Sequence, residues 1–143
     1  MKYLKYVLIM PPLLLCLAAL WWSHRNVPAE IPAATETQRL QWLQAQGLAA
    51  EFLAFEMVEI PVDFSGNYAD YAALQEMQEM PLADAAGKSG VLYTYQVADS
   101  EPPLYAELLT ADGILVGVQC YRPTESRTLT LWGEVFTADG GDS

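Results

Sequence analysis

Near the amino terminus, residues 6–22 form a continuous run of seventeen residues that contains no charged side chain. As a helix with a rise of 1.5 Å per residue, this run would be about 26 Å long, close to the roughly 30 Å hydrocarbon thickness of a membrane. A short basic start, residues 1–5 with Lys2 and Lys5, precedes this run. Trp21 and Trp22 end it, and indole rings favour the membrane interface. We therefore predict a transmembrane anchor at residues 6–22.

Two other fates remain open for this segment. Cleavage as a signal peptide would fit the small residues of Val27-Pro28-Ala29, although these lie beyond an already long apolar core, and would give a secreted protein. Lipid attachment at Cys16 would need a small residue before it, where the chain has Leu15. The basic start is expected to stay in the cytoplasm, so the carboxyl-terminal domain of this single-pass protein is expected outside the cell membrane.

The remainder of the chain is strongly acidic. From Glu30 onward, 18 acidic side chains accompany four basic ones, which gives a net charge of −14. A surface of this sign repels phosphate backbones and anionic lipid headgroups, so we predict no nucleic-acid partner. The excess of acid favours solubility and is compatible with a basic partner.

Composition divides the exported part into three regions. Residues 23–34 contain two prolines and no hydrophobic periodicity, which predicts an extended tether. Residues 35–137 are expected to form a single domain, and residues 138–143 a disordered tail. Because Cys16 would lie at membrane depth, it cannot pair with Cys120, and the domain must depend on a packed core rather than on disulfides.

The first helix of the domain is predicted from a capping signal. Thr35 and Gln38 have the spacing of a capping box, in which the hydroxyl and the amide each satisfy a free backbone donor. Leu40 and Leu43 then form an apolar stripe, and Gly47 is placed to end the helix.

The second helix is predicted from three- and four-residue spacing. Asp63 or Ser65 would cap its start, and it would run to about Met80, before Pro81 stops it. Its apolar stripe consists of Phe64, Tyr68, Tyr71 and Leu74.

The rest of the domain is predicted to be β-structure. Asp112-Gly113, between two strand-like runs, favours a type I′ hairpin turn. Alternation in the following strand would place Ile114, Val116 and Val118 on the face that the helices cover. The fold class is therefore α+β, with two helices packed on one face of a mostly antiparallel four- to five-stranded sheet. The strands are predicted at residues 52–60, 91–97, 104–110, 114–121 and 128–136.

Residue types that carry catalysis are scarce in this domain. His24 is the only histidine and lies at the membrane boundary, so no histidine can serve the domain as a base or a metal ligand. Cys120 has no CxxC partner and is expected to be a buried, unreactive thiol. We predict no catalytic, cofactor-binding or metal-ligating residue, and no cofactor.

Carboxylates are the one abundant reactive group. Glu56, Glu59 and Asp63 are close in sequence, and Glu76 and Glu79 would share a helix face. A small carboxylate-dependent hydrolase acting on envelope glycan or peptide is therefore the alternative function, since such enzymes need two carboxylates across a cleft. Spacing alone does not establish that cleft, and solvated surface charge is the simpler interpretation.

Tyrosines are frequent in the predicted strands. Tyr93 and Tyr95 alternate on one strand face, where they would form either a recognition platform or part of the core with each hydroxyl at its rim. Core packing is the favoured interpretation.

A series of motifs occurs in order from Arg39 to about Cys120: Trp42-Leu43, Gly47, Ile60-Pro61, Phe64, Tyr68, Tyr71, Leu74-Gln75, Leu82, Gly87-Lys88, Tyr93-Thr94-Tyr95 and the hairpin at 108–117. This ordered series resembles the bacterial family numbered 4830 among the domains of unknown function. It covers about 80 of the 143 residues. The chain departs from the family pattern at residues 99–102 and 116–119. The resemblance implies a membrane-tethered or secreted bacterial domain and implies no activity.

Together, these features favour a non-enzymatic function. The anchor, the scarcity of catalytic groups and the tyrosine-rich sheet predict a membrane-anchored extracytoplasmic binding or accessory module of a bacterial envelope. Its partners would be the membrane, through residues 6–22, and a protein or envelope ligand.

Overall fold

The computed structural model describes residues 29–125 and 128–130 of the chain. Within these residues, no helix is long and apolar enough to cross a membrane. The predictions for residues 1–28, 131–136 and 138–143 lie outside the described part. The helices are α1 (Glu36–Ala45) and α2 (Ala69–Met77), with short 3-10 helices at Gly66–Tyr68 and Leu82–Ala85. The strands are β1 (Ala50–Glu59), β2 (Ser89–Val97), β3 (Tyr105–Ala111), β4 (Ile114–Tyr121) and β5 (Thr128–Leu129).

The strands of the described part form one antiparallel sheet whose order follows the chain, from β1 to β5. This arrangement confirms the α+β class. The hairpin turn between β3 and β4 is also confirmed: Asp112 and Gly113 have φ of 51° and 75°, and Ala111 pairs with Ile114. Positive φ at both central residues defines a type I′ turn.

The first helix begins and ends as its sequence predicts. The backbone N–H of Gln38 donates to the Thr35 hydroxyl at 3.2 Å, and the N–H of Thr35 donates to the Gln38 side chain at 3.1 Å. At the other end, Gly47 has φ 87°, and the N–H of Leu48 donates to the carbonyl of Leu43 at 2.9 Å. This is a Schellman ending, with both leucines packed in one cluster.

The second helix is shorter than predicted. Ser65 makes no side-chain capping bond, and a 3-10 turn precedes the first α-helical residue, Ala69. The helix ends at Met77, three residues before the predicted end, and Glu79 takes a φ of 59°. A left-handed residue at this position turns the chain out of the helix before Pro81 is reached.

A register shift between β3 and β4 changes which side chains share a face. After Leu109 the pairing skips one residue of β4, which is a β-bulge. Val116 therefore packs with Leu109, whereas Val118 packs with Leu108 on the opposite face. The prediction that Ile114, Val116 and Val118 share one face is wrong for this reason.

The two helices contact opposite faces of the sheet, so the prediction that both cover one face is also wrong. Leu43 of α1 packs in the cluster that contains Val118, whereas Tyr71 of α2 packs against the cluster that contains Leu109 and Val116. Five of the eight residues of β4 are buried, so both faces of this strand need cover. Near-continuous apolar runs are typical of strands buried on both sides.

The outer edge of β4 is covered along its length. The N–H of Leu115 donates to the carbonyl of Ile31 at 2.9 Å. Both backbone groups of Val118 are bonded by the side chain of Gln75, from α2. The end of the strand pairs with β5. Because these three contacts close the edge of β4, the open edge of the sheet is β1, at the opposite end of the strand order, in the part of the chain that the structure describes.

Candidate functional site

The edge strand β1 is unusually exposed for a strand rich in apolar residues. Eight of its ten residues are exposed and none is buried. Phe55 and Met57 expose 63% and 67% of their surfaces, and Phe52 and Leu53 are exposed as well. A long, apolar edge strand is a template for pairing with another chain, and natural proteins normally blunt such edges. This exposure makes β1 the candidate interaction site.

A shallow groove lies beside β1, on the face of the sheet that α1 covers. Its volume is about 360 Å³. Cross-strand pairs form its apolar side, because Phe55 is opposite Tyr93 with ring centroids 6.4 Å apart, and Met57 is opposite Val91. Glu36 lines the side formed by α1. The groove therefore offers apolar contacts directly next to an open row of backbone hydrogen-bonding groups.

Arg39 holds the groove in shape. Only 6% of this residue is exposed. Its Nε donates to the Tyr95 hydroxyl at 2.8 Å, and its Nη1 donates to the carbonyls of Ala33 and Ala34 at 2.9 and 3.2 Å. The guanidinium carbon lies 3.6 Å from the centre of the Tyr93 ring, a cation–π contact. Its donors are directed at the protein itself, so Arg39 positions α1 against the sheet.

The two tyrosines of β2 have different roles. Tyr95 is fully buried in the core, which confirms the favoured interpretation for this residue. Burial raises the pKa of its hydroxyl, and the hydrogen bond from Arg39 partly offsets that increase. Tyr93 is half-buried and forms part of the groove wall. Sequence alternation placed both on one face but did not distinguish the covered tyrosine from the accessible one.

The charge around the groove is negative. Glu51, Glu56 and Glu59 are exposed on β1, and this strand contains no basic residue. Arg39 lines the groove but is buried, Lys88 forms an ion pair with Asp112 at 3.0 Å, and Arg122 donates to a backbone carbonyl. A ligand of β1 therefore meets three exposed glutamates and no basic residue on this strand.

Glu56 and Glu59, two of the carboxylates considered for hydrolysis, do not share a face of the sheet. Glu56 and Glu59 are three residues apart on a strand, so their side chains project from opposite faces. Glu59 accepts a hydrogen bond from the Ser89 hydroxyl at 2.8 Å. Glu76 lies on α2, whereas Glu79 lies beyond its end. In residues 29–125 and 128–130, no group of three or more His, Cys, Asp or Glu residues is arranged to hold a metal.

Cys120 is buried in the core on β4. Burial raises the pKa of its thiol to about 11, and the negative charge of Glu107 contributes in the same direction. The thiol is therefore protonated at neutral pH and is a weak nucleophile.

Comparisons with known proteins add no relative: no family model matches the chain, and neither the curated proteins nor the solved structures include a significant match. The resemblance to the family numbered 4830 stays a prediction. The functional argument accordingly depends on the geometry of the site alone.

Proposed function

We propose that this chain is a non-enzymatic binding module, anchored outside the membrane of a bacterial envelope, that captures an extended segment of another protein. The segment would add to the sheet as a further strand along β1. The observation that carries this proposal is the exposure of eight of the ten residues of the edge strand, including Phe55 and Met57. Strand addition is a common mode of peptide recognition, in which backbone hydrogen bonds supply affinity and side-chain pockets supply specificity.

The groove supports a particular register of side chains in the ligand. Alternate residues of an added strand would point to the face of α1, where Phe55, Met57 and Tyr93 provide apolar contacts. The residues between them would point to the other face, where Glu56 is exposed. An extended segment with apolar and basic residues in alternation therefore fits this edge best.

Charge argues against a second copy of this chain as the occupant. Pairing two β1 strands would bring three glutamates from each copy to one narrow interface, since Glu51, Glu56 and Glu59 are all exposed. Like charges on paired strands are destabilising, and each copy carries a large negative net charge from Glu30 onward. A cationic segment of a different protein would instead be attracted to these glutamates.

Binding of a basic model peptide tests this proposal. A labelled peptide that alternates lysine with valine or leucine should bind the full-length chain in zwitterionic nanodiscs, as measured by fluorescence anisotropy. Phe55→Lys should weaken binding by about tenfold, because it removes an aromatic contact and introduces a like charge. Met77→Lys is the matched control, since Met77 is about half exposed on α2, away from the groove, and it should leave the affinity unchanged.

Three results would contradict strand addition at β1. They are equal binding of a peptide with glutamate in place of lysine, an unaltered affinity in Phe55→Lys, and preferential binding of envelope glycan fragments. Concentration-dependent dimerisation without any peptide would instead identify a second copy as the occupant.

The location outside the membrane is proposed from the sequence of residues 1–22. Their basic start and uncharged run support an uncleaved anchor with an exported domain. Protease added to intact spheroplasts should remove the domain and leave a membrane-bound stub. Release of the intact domain into the medium would favour cleavage of the segment, and protection from protease would reverse the proposed orientation.

A further inference from the structure

A second cavity lies on the other face of the sheet, beside α2. It has a volume of about 390 Å³, which is in the range of small-molecule sites. Its floor is formed by β2, β3 and β4, and its walls by the start of α2 and the segment after β1. Apolar side chains predominate, with a few polar groups between them. The apolar lining consists of Val58, Ile60, Pro61, Phe64, Leu82, Leu92 and Leu109.

Glu107 is the central polar group of this cavity. It lies in the middle of β3, opposite Thr94 on β2 and Gln119 on β4. Its side chain is half-buried, and its Oε2 accepts a hydrogen bond from Nε2 of Gln119 at 2.6 Å. This bond fixes the carboxylate in the floor of the cavity, where the hydroxyl of Tyr121 is a second hydrogen-bonding group beside it. A carboxylate in such a place attracts a cation.

No protein cation neutralises Glu107 in the described part of the chain. The ion pair present there joins Lys88 to Asp112, and Arg39 is directed at the opposite face of the sheet. Glu59, a second carboxylate of the lining, adds to the negative charge. The cavity is therefore acidic at its floor and apolar along its walls.

Tyr71 supplies an independent observation at the same cavity. Its hydroxyl is buried and has no hydrogen-bond partner, although the ring lines the cavity. Burial raises the pKa of this hydroxyl, and the charge of Glu107 raises it further, so it stays protonated. Buried polar groups are almost always satisfied, so the unpartnered hydroxyl leaves a second unsatisfied polar group in the wall beside the uncompensated carboxylate.

We propose that this cavity binds a primary ammonium group carried on a short aliphatic chain. The ammonium would donate to Glu107 and to a neighbouring oxygen such as that of Asn67, because it has three donors and no acceptor. The aliphatic chain would pack between Leu92 and Leu109. A lysine side chain and a free alkylamine both have this chemistry. The proposal does not rest on strand addition at β1, although Val58 and Glu59 at the end of that strand also line this cavity.

Ligands that differ only in charge test the proposal on the unmodified protein. We expect n-pentylamine to bind the full-length chain in zwitterionic nanodiscs with a dissociation constant of about 1 mM, as measured by NMR chemical shifts. n-Pentanol, which has the same apolar chain without the charge, should bind at least about tenfold more weakly. A comparison with N-acetyl-lysine amide distinguishes a free amine from a lysine side chain as the source. Equal binding of pentylamine and pentanol would overturn the proposal.

A conservative variant tests the assigned carboxylate. Glu107→Gln keeps the size of the side chain and should abolish the preference for pentylamine over pentanol, while binding of pentanol is unchanged. Glu125→Gln is the control, because Glu125 is exposed and does not line the cavity. Circular dichroism establishes whether the variant is folded. A folded Glu107→Gln protein that still prefers the amine would refute the role of Glu107, and a lost preference in Glu125→Gln would indicate only general charge attraction.

Discussion

Gln75→Leu is expected to lower the free energy of unfolding by about 2–4 kcal/mol, because it leaves a buried backbone donor without a partner. Gln75 is completely buried. Its Oε1 accepts from the N–H of Val118, and its Nε2 donates to the carbonyl of the same residue, both at 2.8 Å. Leucine fills a similar volume, so the loss reports the hydrogen bonds more than a cavity.

Urea unfolding of the variant measures this effect. The N–H of Val118 loses its partner altogether, whereas its carbonyl still accepts from Nε2 of Gln78 at 2.8 Å. Gln44→Leu is the matched control, since Gln44 is exposed on α1 and its replacement should change the stability by less than about 0.5 kcal/mol. A Gln75→Leu variant as stable as the control would show that solvent or a rearranged helix satisfies Val118 instead.

The role of Gln75 explains how the sheet keeps one edge closed and the other open. A side-chain amide carries a donor and an acceptor in the same arrangement as a peptide group, so Gln75 bonds Val118 as a neighbouring strand would. A partner chain therefore cannot pair there without displacing α2. On β1, by contrast, no described element occupies the outer edge. The two edges differ in the way that a binding module with a single strand-addition site requires.

The features that the sequence predicts correctly are local ones. The capping box of Thr35 and Gln38, the ending at Gly47 and the turn at Asp112-Gly113 each depend on residues within a few positions of one another. Their backbone conformations follow from hydrogen bonds and steric limits inside that short segment. Strand positions were also predictable, because runs of β-branched and aromatic residues bounded by turns have few other interpretations.

The features that the sequence does not predict depend on distant contacts. Because the pairing skips one residue after Leu109, Val116 and Val118 lie on opposite faces of the sheet. Nothing near them in the sequence indicates this bulge. The apolar run of β1 has the composition of a buried strand, and its exposure depends on where the helices lie. One sequence signal for a buried polar contact was available. Gln75 follows Leu74 in the second helix, and both residues are buried there.

Gly117→Ala is expected to destabilise the protein by about 2–3 kcal/mol, because it overpacks a site with no free volume. Gly117 is buried on β4, and its backbone conformation is open to any residue, so the requirement for glycine is one of space. A Cβ atom there would overlap the Tyr71 hydroxyl, and it would lie 3.2 Å from the ring carbon that bears this hydroxyl and 3.4 Å from Cδ of Gln75.

A double-mutant cycle separates this overlap from other effects of the alanine. Tyr71→Phe alone should stabilise the protein by about 1 kcal/mol, since the hydroxyl that it removes is buried without a partner. The double variant should be more stable than the sum of the two single changes predicts, by about 1–2 kcal/mol in the free energy of unfolding. The recovery is incomplete because the ring carbon of residue 71 stays close to the new Cβ. Tyr68→Phe is the control: Tyr68 is about half exposed and its hydroxyl does not approach Gly117, so this change should give no recovery. Strict additivity of Gly117→Ala and Tyr71→Phe in urea unfolding would contradict the packing of α2 against β4, and with it the wall of the acidic cavity that Tyr71 forms.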